Sequence, residues 1–157
     1  MKWVTRERPK IDRVACPWLI ARFIDTTPEF LFVPAPEVSR VAQHSGAIPY
    51  DVDGVELSHV GPHCSFDAFL EKYHLEDPAL AELAVIVRGA DTDHLDAAPQ
   101  CAGLLAISLG LSQLYGDDHE QLQHGFVIYD ALYAWLTKAR SERHSWNPQR
   151  SAPSARQ

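Results

Sequence analysis

The chain has 157 residues, with 14 Lys and Arg against 21 Asp and Glu and a formal charge of −7. That length suits one domain with its own core, and a content of 46% hydrophobic and 22% charged residues excludes a disordered chain. The negative balance argues against a protein that wraps nucleic acid, and no apolar run approaches the about 20 residues of a membrane-spanning helix.

Lys2–Arg6 (KWVTR) has the β-branched and aromatic content of a short strand. A charged connector with Pro9 follows. Pro17 fits the first turn of a helix with Cys16 nearby as its cap, and Trp18, Leu19, Ile20, Phe23 and Ile24 share one side of it. Glu29–Val33 (EFLFV) reads as a buried strand, and Pro36–His44 as a short helix ended by Gly46. Ile48–Val60 alternates on both sides of Asp53-Gly54, the pattern of a β-hairpin.

Ser65 caps a predicted helix to about His74. Asp77-Pro78 starts another, to about Arg88. Gly89–Pro99 is a predicted loop with three aspartates. Gln100–Tyr115, the most apolar helix, is expected at the centre of the fold. Asp117 opens the last helix, with Glu120 as the acidic partner of a capping box and an end near Arg140. Together these elements predict an α+β, predominantly helical domain over residues 1–140, with a few short strands and a β-hairpin. The polar segment 141–157 is expected to be a disordered tail.

The charge is unevenly distributed. Residues 51–120 hold two basic and fourteen acidic residues, net −12, between basic ends. Six of the eight histidines fall between residues 51 and 124. Such a block is either neutralised by the ends or built around a cation. Three separated cysteines, Cys16, Cys64 and Cys101, form no Cys-x-x-Cys pair, which argues against a cysteine-built zinc site and against a disulfide framework. With no apolar leader at the N-terminus, a cytoplasmic location is expected.

Four constellations carry candidate chemistry. Glu120 and His124 stand four apart on one helix face and can reach one metal, with His119 beside them and Asp130 further along as an orienting carboxylate. Asp91-x-Asp93 puts two carboxylates near one cation. His59, His63 and Cys64 supply imidazole and thiol donors for zinc, iron or copper, and a cysteine before a helix either packs as a small hydrophobe or reacts through a lowered pKa. Arg6, Arg8, Arg13, Arg22 and Arg88 either bind an oxyanion or pair with the acidic block. The metal set expected from these is His59, Asp93, His119, Glu120 and His124, with Asp91 and Cys64 as further ligands and Arg13 and Arg88 as anion contacts. Its closure in space is an assumption of the reading.

The segments WVTRERPKIDRVACPWLIARFID (Trp3–Asp25), GVELSHVGPHCSFDAF (Gly54–Phe69), VRGADTDHLDAAPQCAGLLAISLGLS (Val87–Ser112) and DDHEQLQHGFVIYDALYAW (Asp117–Trp135) resemble the chromate resistance protein family, specifically the ChrB-type carboxy-terminal domain. The resemblance implies a bacterial cytoplasmic protein linked to chromate resistance. Longer members carry an N-terminal regulatory region associated with chromate-responsive control of an efflux transporter, and other relatives carry a sulfurtransferase domain. Neither is expected in this chain, so a DNA-binding role is not expected of it. Within the matching motifs the candidate site residues are Asp12, Arg13, Cys16, His59, Cys64, Arg88, Asp91, Asp93, His119, Glu120 and His124. His63 and His94 occupy looser positions.

Three readings stay open at this point. The first is a domain holding iron or zinc, where the metal of an enzyme would activate water or a redox substrate and Arg13 or Arg88 would steer an anion. The second is a non-catalytic sensor that binds chromate through arginines. The third is an interaction domain without a ligand. A homo-oligomer is compatible with each.

Overall fold

The structure is a computed structural model that describes residues 1–145. Three strands form a parallel sheet in the order β2-β1-β3. β1 (Lys2–Arg6) is central, flanked by β2 (Glu29–Val33) and by the two-residue β3 (Ile48–Pro49). Trp3 pairs with Phe30 on one side and Ile48 on the other. Both faces of β1 are covered, as a parallel sheet requires. Trp3 enters the main core, and Val4, one position on and therefore on the opposite face, packs with Val38 and Ala47.

Two helical crossovers link the strands. α1 (Asp12–Leu19) continues as a π-helical turn, Ile20–Ile24, and α2 (Val38–Ser45) follows a 3₁₀ turn at Ala35–Glu37. Gly46 ends α2 in the left-handed region at φ 69°, as the sequence predicts. The main body is built by α3 (Ser65–Lys72), α4 (Pro78–Asp91), α5 (Cys101–Leu114) and α6 (Asp118–Ala134), the last extended by a π-helical turn, Trp135–Ala139. Asp77 caps α4 by accepting from Ala79 N–H at 2.8 Å, and Asp117 caps α6 by accepting from Glu120 N–H at 2.8 Å. α6 lies against α1 so closely that a Cβ on Gly125 would stand 2.4 Å from Val14 Cγ1. The α+β, mainly helical fold expected from the sequence is the fold observed.

The structure corrects several elements. α1 begins at Asp12, five residues before Pro17, which lies inside the helix. Pro17 has no N–H to return to Arg13, but the buried face from Val14 to Leu19 holds the helix together around the gap. The hairpin expected over Ile48–Val60 does not form. β3 pairs parallel with β1, and the chain then coils through turns, with isolated bridges at Tyr50–Leu57 and Val60–His63. Sheet formation along β1 takes up Ile48 and Pro49 before they can meet a hairpin partner. α4 runs one turn beyond Arg88, which brings Asp91 onto its last turn. α5 is peripheral: it buries Cys101, Leu104, Ser108 and Ser112 and leaves Ile107, Leu109 and Leu114 exposed. Of the expected tail, residues 146–157 lie outside the described residues.

Candidate metal centre

Three helix ends and one loop meet at His59. The N-terminus of α1 brings Asp12, the N-terminus of α3 brings Ser65 and Phe66, the C-terminus of α4 brings Asp91, and the loop after β3 brings Asp51. His59 Nε2 stands 3.2 Å from Asp91 Oδ2, 3.3 Å from Asp51 Oδ1 and 3.6 Å from Asp12 Oδ2. Asp12, His59 and Asp91 each offer one donor atom, and the three atoms lie within 4.8 Å of one another. Among the described residues this is the one group of three or more His, Cys, Asp or Glu donors so placed.

Each carboxylate is held for a physical reason. Asp12 sits at the start of α3, accepting from Ser65 N–H at 2.7 Å and Phe66 N–H at 3.1 Å. Those are N–H groups with no partner inside their own helix, at its positive end. The Cys16 thiol donates to the same carboxylate at 3.3 Å. Asp91 accepts from the backbone N–H of Asp12, at the start of α1. So each of the two carboxylates closes the open end of another helix. Asp51 is fixed by Arg6, whose guanidinium donates to its carboxylate and to its carbonyl at 3.0 and 3.1 Å, by Arg13 at 3.3 Å, and by the Ser65 hydroxyl at 2.8 Å.

Asp12 is buried, with a side chain 1% exposed, whereas His59 is 40% exposed. The site is therefore a buried acidic floor under an accessible imidazole. Burial pushes the Asp12 carboxyl well above the usual carboxylate range, and the charges of Asp91 and Asp51 add to it. Burial and then Asp51 raise Asp91 as well, while His59 acts the other way. Among the described residues Asp12 and Asp91 have no Lys or Arg in an ion pair, because both nearby arginines are turned to Asp51. Two further features mark the place. Ile11 and Asp51 adopt φ 35° and 49°, a region that side chains with a Cβ rarely occupy and that costs free energy to maintain. The Tyr50 hydroxyl is fully buried and has no hydrogen-bond partner among the described residues, within the electrostatic reach of Asp51, Arg13, Asp12 and Cys16.

The expected ligand set is divided by the structure. His59 and Asp91 meet. Asp93 is exposed beyond the end of α4, and Cys64 is buried at the start of α3, its thiol 3.4 Å from Asp67 Oδ2. Burial, Asp12 and Asp67 push the Cys64 thiol up, which favours its neutral form. His119 packs edge-on against Phe32, His124 lies flat on Tyr115 at 4.1 Å, and Glu120 is exposed. None of these three joins the group at His59. Asp130 holds Trp18 Nε1 and Arg22 rather than an imidazole. Of the two arginines expected at an anion, Arg13 faces Asp51 and Arg88 is bound to Asp67 at 2.5 Å.

Asp12 falls within a motif quoted above, though no spacing singles it out, and Asp51 is not among the sequence candidates. The groups that fix their carboxylates in place include Ser65 N–H, 53 residues from Asp12, and the Arg6 guanidinium, 45 residues from Asp51. A hollow of about 640 Å³ between α4 and the end of α6 is lined by Ile86, Trp135 and Arg140 among others and touches none of the candidate ligands.

Among the described residues no helix is long and apolar enough to cross a membrane. No solved structure matches the chain. Protein ChrB of Cupriavidus metallidurans is 32% identical over 140 residues, which is 88% of this chain and 42% of that protein. The chain therefore spans less than half the length of this relative. The family described as ChrB, C-terminal domain, matches residues 3–136, a stretch that contains every donor of the His59 site. The chain belongs to the chromate resistance protein family ChrB, as a domain of its carboxy-terminal type.

Proposed function

We propose that this is a cytoplasmic metal-binding domain, for iron or zinc, that serves chromate resistance and the associated oxidative stress. The family supplies the link to chromate. The metal reading rests on one observation: donors from Asp12, His59 and Asp91 within 4.8 Å of one another, where the two carboxylates have, among the described residues, no Lys or Arg in an ion pair. Nitrogen and oxygen donors suit either ion. Three protein ligands, one of them the exposed imidazole, leave coordination positions open to a small molecule. A cation here would offset the burial, and then the mutual repulsion, that raise Asp12 and Asp91.

Sensing of chromate by arginines alone has less support, since an anion at Arg13 or Arg88 would have to displace Asp51 or Asp67. Elemental analysis of protein purified without added metal tests the proposal. Near-stoichiometric iron or zinc is expected, with a fall in melting temperature on chelation. Absence of metal together with an unchanged melting temperature would refute it.

A further inference from the structure

Asp51 stands outside the group of three donors, yet its Oδ1 is 3.3 Å from His59 Nε2. Its two oxygens are divided in their duties. Oδ2 takes the guanidinium groups of Arg6 and Arg13, while Oδ1 takes only the Ser65 hydroxyl, at 2.8 Å. A carboxylate oxygen has about two lone-pair positions, so Oδ1 has acceptor capacity beyond the Ser65 hydroxyl, and His59 Nε2 is 3.3 Å from it. The residue is 5% exposed, and its left-handed backbone at φ 49° is maintained by the Arg6 contact to its own carbonyl. The buried hydroxyl of Tyr50, which has no hydrogen-bond partner among the described residues, adjoins it in the chain. The backbone is thus held in a costly conformation that leaves a buried carboxylate oxygen close to the imidazole nitrogen.

Resting on the metal reading above, we propose that Asp51 closes onto the bound ion as a fourth protein ligand, and that the site is built for a six-coordinate, oxygen-preferring divalent ion of the iron(II) and manganese(II) class. Zinc reaches its usual four-coordination with three protein ligands and one water, so it has no use for Asp51. Octahedral ions prefer more oxygen donors. Three aspartates and one histidine supply four of six positions, leaving two for exchangeable ligands. Arg6 and Arg13 then set the orientation of a ligand, holding Oδ2 so that Oδ1 faces the ion.

The test is calorimetric titration of the metal-free full chain with manganese(II) and with zinc(II), in the native sequence and in Asp51→Asn. The expected result is a loss of about 10-fold or more in manganese affinity, in the range that loss of a metal-site contact produces, with zinc affinity changed less than about threefold. Equal losses for both ions, or none for either, would overturn the assignment while leaving the metal site standing. Failure of the native chain to bind either ion would instead overturn the metal reading itself. Asp51→Cys loaded with cobalt(II) gives a second readout that tolerates partial loss of stability. A thiolate-to-cobalt charge-transfer band beyond that of the native chain supports ligation at position 51. Cobalt binding without such a band contradicts it.

Discussion

The His59 centre and the start of α6 both gather aspartate and histidine, yet only at His59 do donor atoms of three such residues converge among the described residues. The α6 cluster adds Glu120 to its aspartates and histidines, while the His59 centre has three aspartates and one histidine. At α6 the residues are neighbours in sequence, exposed, and occupied locally: Asp117 caps its helix, His119 meets Phe32, and His124 stacks on Tyr115. At His59 they come from positions 12, 51, 59 and 91, and the fold pushes them together in spite of their charge. Helical spacing of four residues tells only that two side chains share a face. Whether they have anything to hold is decided by what the face packs against.

The largest effects should separate the two regions outright. His59→Ala, or Asp91→Asn, is expected to abolish stoichiometric metal content, because each removes one of three donors from a site with few to spare. A triple replacement of His119, Glu120 and His124 by alanine should leave metal content unchanged. Metal analysis beside circular dichroism on the three proteins decides it. Loss of metal from the triple variant with its fold retained would reverse the comparison.

Stability should divide the regions next. Asp12→Ala leaves the Ser65 and Phe66 N–H groups without their acceptor at a buried position, at about 1–3 kcal/mol for each unsatisfied group. Relief of the repulsion with Asp91 and Asp51 offsets part of that. The net loss should be about 3 kcal/mol, or roughly 6–12 °C in melting temperature for a chain of this size. Glu120→Ala, at an exposed position, should change stability by less than about 0.5 kcal/mol. Asp12→Asn provides the finer cut. It keeps an acceptor for one N–H and removes the charge, so it should cost less than alanine in chelator.

The same crowding fixes a pH dependence. Asp12 and Asp91 have folded-state pKa values raised above those of the unfolded chain. Between the unfolded and folded values the native state holds protons that the unfolded state has released, so stability falls as pH rises through the folded values. In chelator the chain should therefore melt higher at pH 5 than at pH 7. Asp91→Asn should flatten that slope, since it removes one of the raised groups and part of the cause for the other. With metal bound the slope should weaken or reverse, because protons compete with the ion for the same oxygens. Melting curves across this range check both arms, and a rise in stability toward neutral pH in chelator would contradict the charge crowding.

Much of the fold was legible because its signals are local. The strands Lys2–Arg6 and Glu29–Val33, the Asp77 and Asp117 caps and the Gly46 stop appear as their residue types dictate. The hairpin failed because Asp53-Gly54 describes only a turn, while the pairing of Ile48 was settled by β1, more than forty residues earlier. α5 was misplaced because an apolar sequence says that a helix can be buried, not that the fold has room to bury all of it. The site was half legible. The chemistry of His59 and Asp91 marks them as donors, while Asp12 lies in what reads as a charged connector and Asp51 in what reads as a hairpin strand. Their role depends on contacts 53 and 45 residues away, which no window of sequence contains.

The smallest effect belongs to His124, and it sharpens what the α6 cluster is for. Its ring lies on Tyr115 with centroids 4.1 Å apart and planes 8° from parallel. Aromatic pairs of this kind contribute about 0.5–1.5 kcal/mol beyond area burial, and exposure of His124 places this one at the low end. The stack joins the last turn of α6's first half to the residue that closes α5. The Tyr115 carbonyl also accepts from Arg8, whose guanidinium gathers the Ser112 and Gly116 carbonyls as well. His124→Ala should thus lower stability by about 0.5 kcal/mol with metal content intact. A double-mutant cycle with Tyr115→Ala should recover most of that as coupling. Additive losses would mean that the rings merely lie near each other. A coupling of the expected size, in a protein that keeps its metal, would make His124 a fastener between α5 and α6 and leave ligation to the residues that meet at His59.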